Sequence, residues 1–203
     1  MRFARRSRLA LVLACCTALL ASGCSMTAPS GAPEAGDAAA CTNWTKPKGM
    51  VAMKTSDFSF SLPKGWVNTT KSASNNGAWA AFMNKKSPGG KLIENIYLDR
   101  TTSGTDMSAA EMQLALQNEL RNAPFADIKV TSLKAGKPIT LDGIKTVVLV
   151  GKGKVLGYKF NMIFLGVTNR KYRYGAAIAY NTGSSTGKAA FLKNLECSWK
   201  WTD

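Results

Sequence analysis

The sequence predicts an α+β domain, an antiparallel β-sheet flanked by helices, behind an N-terminal export segment (residues 1–23) and a flexible tether (24–40). Short runs of two-residue alternation, separated by Gly and Pro turn signals, predict the sheet. A capping-box helix start at Ser108 predicts a helix among the strands. The Ala-, Gly-, Pro- and Ser-rich stretch from Ser25 to Ala40, with Glu34 and Asp37 and no apolar periodicity, predicts the tether. The remainder of the chain, 41–203, is long enough for one domain with a full core and too short for two. No internal repeat is present.

Within the domain, Phe58-Ser59-Phe60-Ser61-Leu62 puts Phe58, Phe60 and Leu62 on one face of a strand, and Pro63-Lys64-Gly65 turns the chain into Trp66. Ala78 to Met83 and Leu92 to Leu98 are expected strands on either side of a Pro-Gly-Gly loop. In Ser108-Ala109-Ala110-Glu111 the serine hydroxyl can accept from the Glu111 amide while the glutamate reaches back. Met112, Leu116 and Leu120 then form the buried stripe. The second half is expected to be a meander of strands at Ile128 to Leu133, Pro138 to Leu141, Ile144 to Val150, Val155 to Val167 and Tyr172 to Tyr180. Asp142-Gly143 and Thr168 to Lys171 supply two of its turns. A short helix, Gly187 to Leu195, precedes Cys197-Ser198-Trp199-Lys200-Trp201, which if extended puts Cys197, Trp199 and Trp201 on one face.

The N-terminus carries Arg2, Arg5, Arg6 and Arg8 before an uncharged apolar run, Leu9 to Ala21, which is too short for a membrane span of about 20 residues. Leu20-Ala21-Ser22-Gly23-Cys24 resembles a bacterial lipoprotein signal. That resemblance implies cleavage before Cys24 and a lipid on its sulfur, so that a membrane is the first partner. The alternative is an ordinary secreted protein cut near Ala28 or Ala32. Ser25 resembles the outer-membrane sorting signal, which in a host with two membranes implies the outer membrane facing the periplasm.

Of the five cysteines, Cys15 and Cys16 leave with the signal and Cys24 takes the lipid, so Cys41 and Cys197 remain as one even pair. In an oxidising compartment they are expected to form a disulfide joining the two ends of the domain; the alternative is two unrelated buried thiols. No metal or cofactor is expected, because the chain has no histidine and two thiols do not complete a zinc shell.

The opening Phe58-Ser59-Phe60-Ser61-Leu62-Pro63-Lys64-Gly65-Trp66 resembles the strand, turn and tryptophan that begin PsbP-like domains, and the later order of elements matches from about Val51 to Leu195. The resemblance implies an antiparallel sheet sandwiched between helices. That family shares a fold and not a chemistry, so it implies no catalytic residues.

No catalytic signature emerges from the residues themselves. Gly183-Ser184-Ser185-Thr186-Gly187-Lys188 imitates a phosphate loop but has three residues between its glycines and Ala189 after the lysine, so no nucleotide is expected. Without histidine the usual base for a serine or cysteine nucleophile is missing, and Asp57, Glu94, Asp99, Asp106, Asp127 and Asp142 are scattered singly. The charge is strongly basic, 27 Lys and Arg against 12 Asp and Glu, with four of the arginines in the signal. Lys145, Lys159 and Arg173 alternate with apolar residues in successive strands, opposite a face expected to hold Val148, Phe160 and Tyr174. With Lys152, Lys154, Arg170 and Lys171 they make a candidate patch for an anionic partner; the alternative is a solvated face. Nucleic acid is not expected outside the cytosol. The expected role is a non-catalytic binding, accessory or assembly module for an envelope complex, with a protein partner. The competing readings are association with anionic envelope polymer or lipid, and an envelope enzyme with an unrecognised site.

Overall fold

The structure, a computed structural model, describes residues 41–74, 78–87, 93–102, 108, 110–114, 117, 128–155, 158–169 and 172–202. Two antiparallel sheets share one core. The smaller runs β1-β2-β11, where β1 is Met50–Lys54, β2 Phe58–Pro63 and β11 Lys200–Trp201. The larger has eight strands: β3 (Trp66–Asn68), β4 (Ala80–Asn84), β5 (Asn95–Thr102), β10 (Tyr172–Tyr180), β9 (Tyr158–Asn169), β8 (Ile144–Val155) and β6 (Ile128–Ala135) in that order, with β7 (Ile139–Leu141) on β8. A short helix α1, Thr70–Ala73, follows β3. A longer one, α2, Ala189–Ser198, leads into β11.

The expected alternation holds where it is strongest. Phe58, Phe60 and Leu62 are each at most 2% exposed, and they meet Trp66, Phe82, Ile96, Leu98, Ile163, Leu165, Tyr174 and Ile178 of the large sheet. Phe191, Leu195 and Trp199 close the same core from α2 and its end. The opposite face of the large sheet buries Leu149, Phe160, Met162, Phe164, Ala177 and Ala179 under Met112 of the helical stretch 110–114. Helices therefore cover both faces, an α+β sandwich.

The capping box forms as its spacing requires. The Ser108 N–H donates to Glu111 Oε2 at 2.7 Å, and Glu111 N–H donates to Ser108 Oγ at 3.3 Å. Leu116 and Leu120, the rest of the expected stripe, lie outside the described residues. Asp142 and Gly143 both have positive φ, 48° and 88°, which fits the two-residue turn that joins β7 to β8.

Four sequence expectations need correction. The run Val155 to Val167 is not one strand: β8 extends to Val155 and β9 starts at Tyr158, so Gly151-Lys152-Gly153-Lys154 is strand. Both neighbours, β6 and β9, pair along this segment and override the weak local preference of its glycines. Phe160 does not share a face with Val148 and Tyr174, because the register pairs those two with Leu165 and Val167, each an odd number of residues from Phe160. Cys197 is not on an extended face with Trp199 and Trp201, since α2 continues to Ser198. The helix expected from Gly187 is divided into a 3-10 turn, Ser185–Gly187, and α2. Strands β1 and β3 and helix α1, too short to announce themselves, were not expected.

Candidate functional site

The sheet end at which β4 and β10 finish and β5 begins holds a polar cleft of about 350 Å³. Pro63, Lys64 and Trp66 form one side, Asn84, Lys86 and Glu94 another, and the loop from Asn181 to Ser185 the third. Glu94 is 3% exposed, and its carboxylate is fully engaged. Asn84 Nδ2 donates to it at 2.9 Å, Thr186 Oγ1 at 3.0 Å and the Asn181 N–H at 3.3 Å. Three donors compensate a buried carboxylate that would otherwise be costly. Along the sequence Glu94 is one of several scattered carboxylates. Its signal is parity: counting back in twos from Leu98 and Ile96 along the inward face lands on Glu94.

The imitation phosphate loop lines this cleft, with Ser184 Oγ accepting from the Thr186 N–H at 3.1 Å to start the 3-10 turn. Its hydroxyls thus serve the fold: Thr186 is spent on Glu94 and Ser184 on the turn.

Two other carboxylates differ in what surrounds them. Asp57 Oδ2 accepts from Arg100 Nη1 at 2.8 Å and from the Tyr174 hydroxyl at 2.9 Å, while Ser56 Oγ donates to Oδ1 at 2.6 Å. Burial alone would raise its pKa, but the hydrogen bonds from Ser56, Arg100 and Tyr174 outweigh burial and lower it. The Arg100 guanidinium lies between the rings of Trp79 and Tyr172, 4.7 and 4.6 Å from their centroids. Asp99 faces the other way. Its Oδ1 accepts from the Arg100 N–H at 2.8 Å, Oδ2 has no hydrogen-bond partner, and burial raises its pKa.

The expected cysteine pair is bonded: Cys41 and Cys197 form a disulfide with Cα atoms 5.4 Å apart. Glu196 lies beside it, but both sulfurs are committed to each other, so the three do not form a metal site. Glu196 instead accepts from Thr140 N at 3.0 Å and from Lys193 Nζ at 3.2 Å. Cys24, Arg170 and Lys171 lie outside the described residues.

The structure does not bring the expected basic patch together. Arg173 pairs with Thr168 at one end of β9, whereas Lys159 pairs with Lys154 at the other, about 30 Å along the strand. Parity also puts Lys145 and Arg173 on the Met112 face and Lys159 on the opposite one.

No protein-family model matches the chain, and no curated protein matches it. Among solved structures, the cyanobacterial PsbP of Synechocystis sp. PCC 6803 is similar over 76% of this chain and 93% of its own, with 13% identity and a TM-score of 0.55. LpqN of Mycobacterium tuberculosis, involved in cell envelope biogenesis, covers 76% of this chain and 91% of its own at 12% identity and a TM-score of 0.49. A variant of Mog1 covers 73% and 85% at 12% identity and a TM-score of 0.46. At 13% identity the likeness to the cyanobacterial PsbP speaks to fold alone, and it agrees with an antiparallel sheet covered by helices: this chain has the PsbP-like fold.

Proposed function

We propose that this protein is an extracytoplasmic lipoprotein, anchored through Cys24, that acts as a non-catalytic accessory or assembly module for a complex of the cell envelope. The observation that carries the reading is the Cys41–Cys197 disulfide, which joins the two ends of the domain and is the kind of bond that persists in oxidising compartments. The basic and then apolar N-terminus ending at Cys24 supplies the export route and the anchor. Binding is favoured over catalysis by the state of the cleft, whose carboxylate already accepts three hydrogen bonds, and by a chain without histidine.

The anchor is tested by Cys24→Ala. The variant is expected to leave the membrane fraction in a high-salt wash that the parent survives, and retention of the variant in that wash overturns the anchor. The accessory role is tested by crosslinking the anchored protein in intact cells, with mass spectrometry of what is captured. A reproducible protein partner absent from the Cys24→Ala control is the expected result, and capture of bulk envelope material alone overturns it.

A further inference from the structure

Six exposed lysines in no ion pair among the described residues gather at one end of the large sheet. Antiparallel register puts the ends of β4, β8 and β10 beside the starts of β3, β5, β6 and β9. Lys64, Lys85 and Lys86 stand at this end on the cleft side, and Lys152, Lys154 and Lys159 on the β8–β9 hairpin. All six are exposed, and among the described residues none forms an ion pair. Lys154 pairs directly with Lys159 across the two strands of the hairpin, so two successive strands put a lysine in the same row. Like charges in neighbouring rows repel, a cost for the isolated domain that an anionic partner would relieve.

Acidic residues are distributed the other way. Among the described residues the only carboxylate at this end is Glu94, which is buried and fully hydrogen-bonded. Asp57, Asp142 and Glu196 lie toward the opposite end, already paired with Arg100, Lys200 and Lys193. Among the described residues, this end therefore has exposed lysines and no exposed carboxylate.

Two features select the partner. The lysine groups at β4 and β8 are separated by about 19 Å, four strand spacings, which is too broad for one small anion and suits an extended charged surface. The loops at this end also expose apolar side chains, Ile93 (41%) just before β5 and Tyr158 (43%) at the start of β9. A soluble polyanion gains nothing from these, whereas a bilayer accepts them among its headgroups while lysines meet its phosphates.

We propose that this end of the domain docks on an anionic lipid bilayer. The proposal rests on the envelope reading of the protein for its setting only. Cys41 lies toward the opposite end, since α2 runs from the cleft loop toward Cys197 and its continuation pairs with the start of β2. Seventeen residues from Cys24 to Cys41 extend to about 58 Å, against about 40 Å for the longest strands, so an anchored domain can turn this end onto its own membrane.

The test uses the full chain carrying Cys24→Ala, so that no lipid contributes, and its co-sedimentation with vesicles of equal phosphatidylcholine and phosphatidylglycerol. Binding is expected there, not on pure phosphatidylcholine, and it weakens steeply between low and 0.5 M salt. Combining Lys152→Gln, Lys154→Gln and Lys159→Gln is expected to weaken it about 100-fold, the attraction of three lysines near such a surface. Lys54→Gln, Lys137→Gln and Lys145→Gln, away from this end, serve as the control, with near-UV circular dichroism checking both folds. Absence of vesicle binding, equal loss in both triple variants, or binding to polygalacturonate without binding to vesicles overturns the proposal. Because the chain tested has no lipid, such a failure leaves the anchor, judged by fractionation of cells, undisturbed.

Discussion

Glu94 and Asp57 are both inward-leaning carboxylates, and their partners decide what each is worth. Replacing Glu94 by Ala leaves the Asn84 amide, the Thr186 hydroxyl and the Asn181 N–H without their acceptor inside the fold. Stranded buried donors cost about 1–3 kcal/mol each, and partial relaxation toward the open cleft brings the expected loss to about 2–4 kcal/mol, read as a shift in the urea midpoint. Asp57 makes a different, pH-dependent prediction. Its folded pKa lies below the ordinary value of 3.8, so its contribution is complete above that value and disappears as pH falls through the folded pKa. Asp57→Asn should therefore lose stability at neutral pH and show a flatter decline in Tm at the acid end. A parallel decline in both proteins would refute the linkage. Asp99, whose pKa burial raises, acts in the opposite sense, which is why the two must be separated by single substitutions. Neither assignment was read from the sequence: parity with Ile96 and Leu98 places Glu94 and Arg100 on the inward face, but Asn181, Thr186 and Asp57 come from distant parts of the chain.

The elements that formed as expected are those whose signals are local. The Ser108–Glu111 box and the Asp142-Gly143 turn each need only neighbouring residues to be satisfied. The β8–β9 hairpin failed as an expectation because Gly151 and Gly153 resemble a loop until strands are paired on both sides of them. Helix α2 likewise outran its expected end: it carries Cys197 to the disulfide and Ser198 to β2, where its Oγ accepts from the Ser61 N–H at 2.9 Å. The bridge ties that helix to the first described residue across 156 positions. Replacing both cysteines by serine is expected to cost about 2–5 kcal/mol, measured by denaturant unfolding, and the parent should lose a similar amount on reduction. Stability unchanged in both experiments would show that the bridge constrains nothing the rest of the fold does not already hold.

At the scale of the whole molecule, one aromatic cluster couples the two sheets. Phe58 lies at its centre, stacked on Trp199 at 4.1 Å and within 6.0 Å of Phe60, Trp79, Tyr174 and Trp201. Phe58→Ala should cost about 3–5 kcal/mol, the range for an enclosed phenylalanine, and diminish the near-UV circular dichroism of the tryptophans. A loss below about 1 kcal/mol would mean the small sheet is dispensable to the core. Local pattern along the chain is enough to show which residues alternate, where the capping box and the tight turn fall, and that residues 41–203 hold one even pair of cysteines. The sequence also carried enough pattern, in the strand and turn before Trp66, to indicate the PsbP-like fold. Which charges share a surface depends instead on long-range strand pairing. That pairing separates Lys159 from Lys145 and Arg173, aligns it with Lys154, and draws Glu94 under a loop nearly ninety residues away. The reason is physical: the pattern along one strand determines which face a side chain takes, but its neighbours on that face depend on strand register, and long-range pairing sets that register.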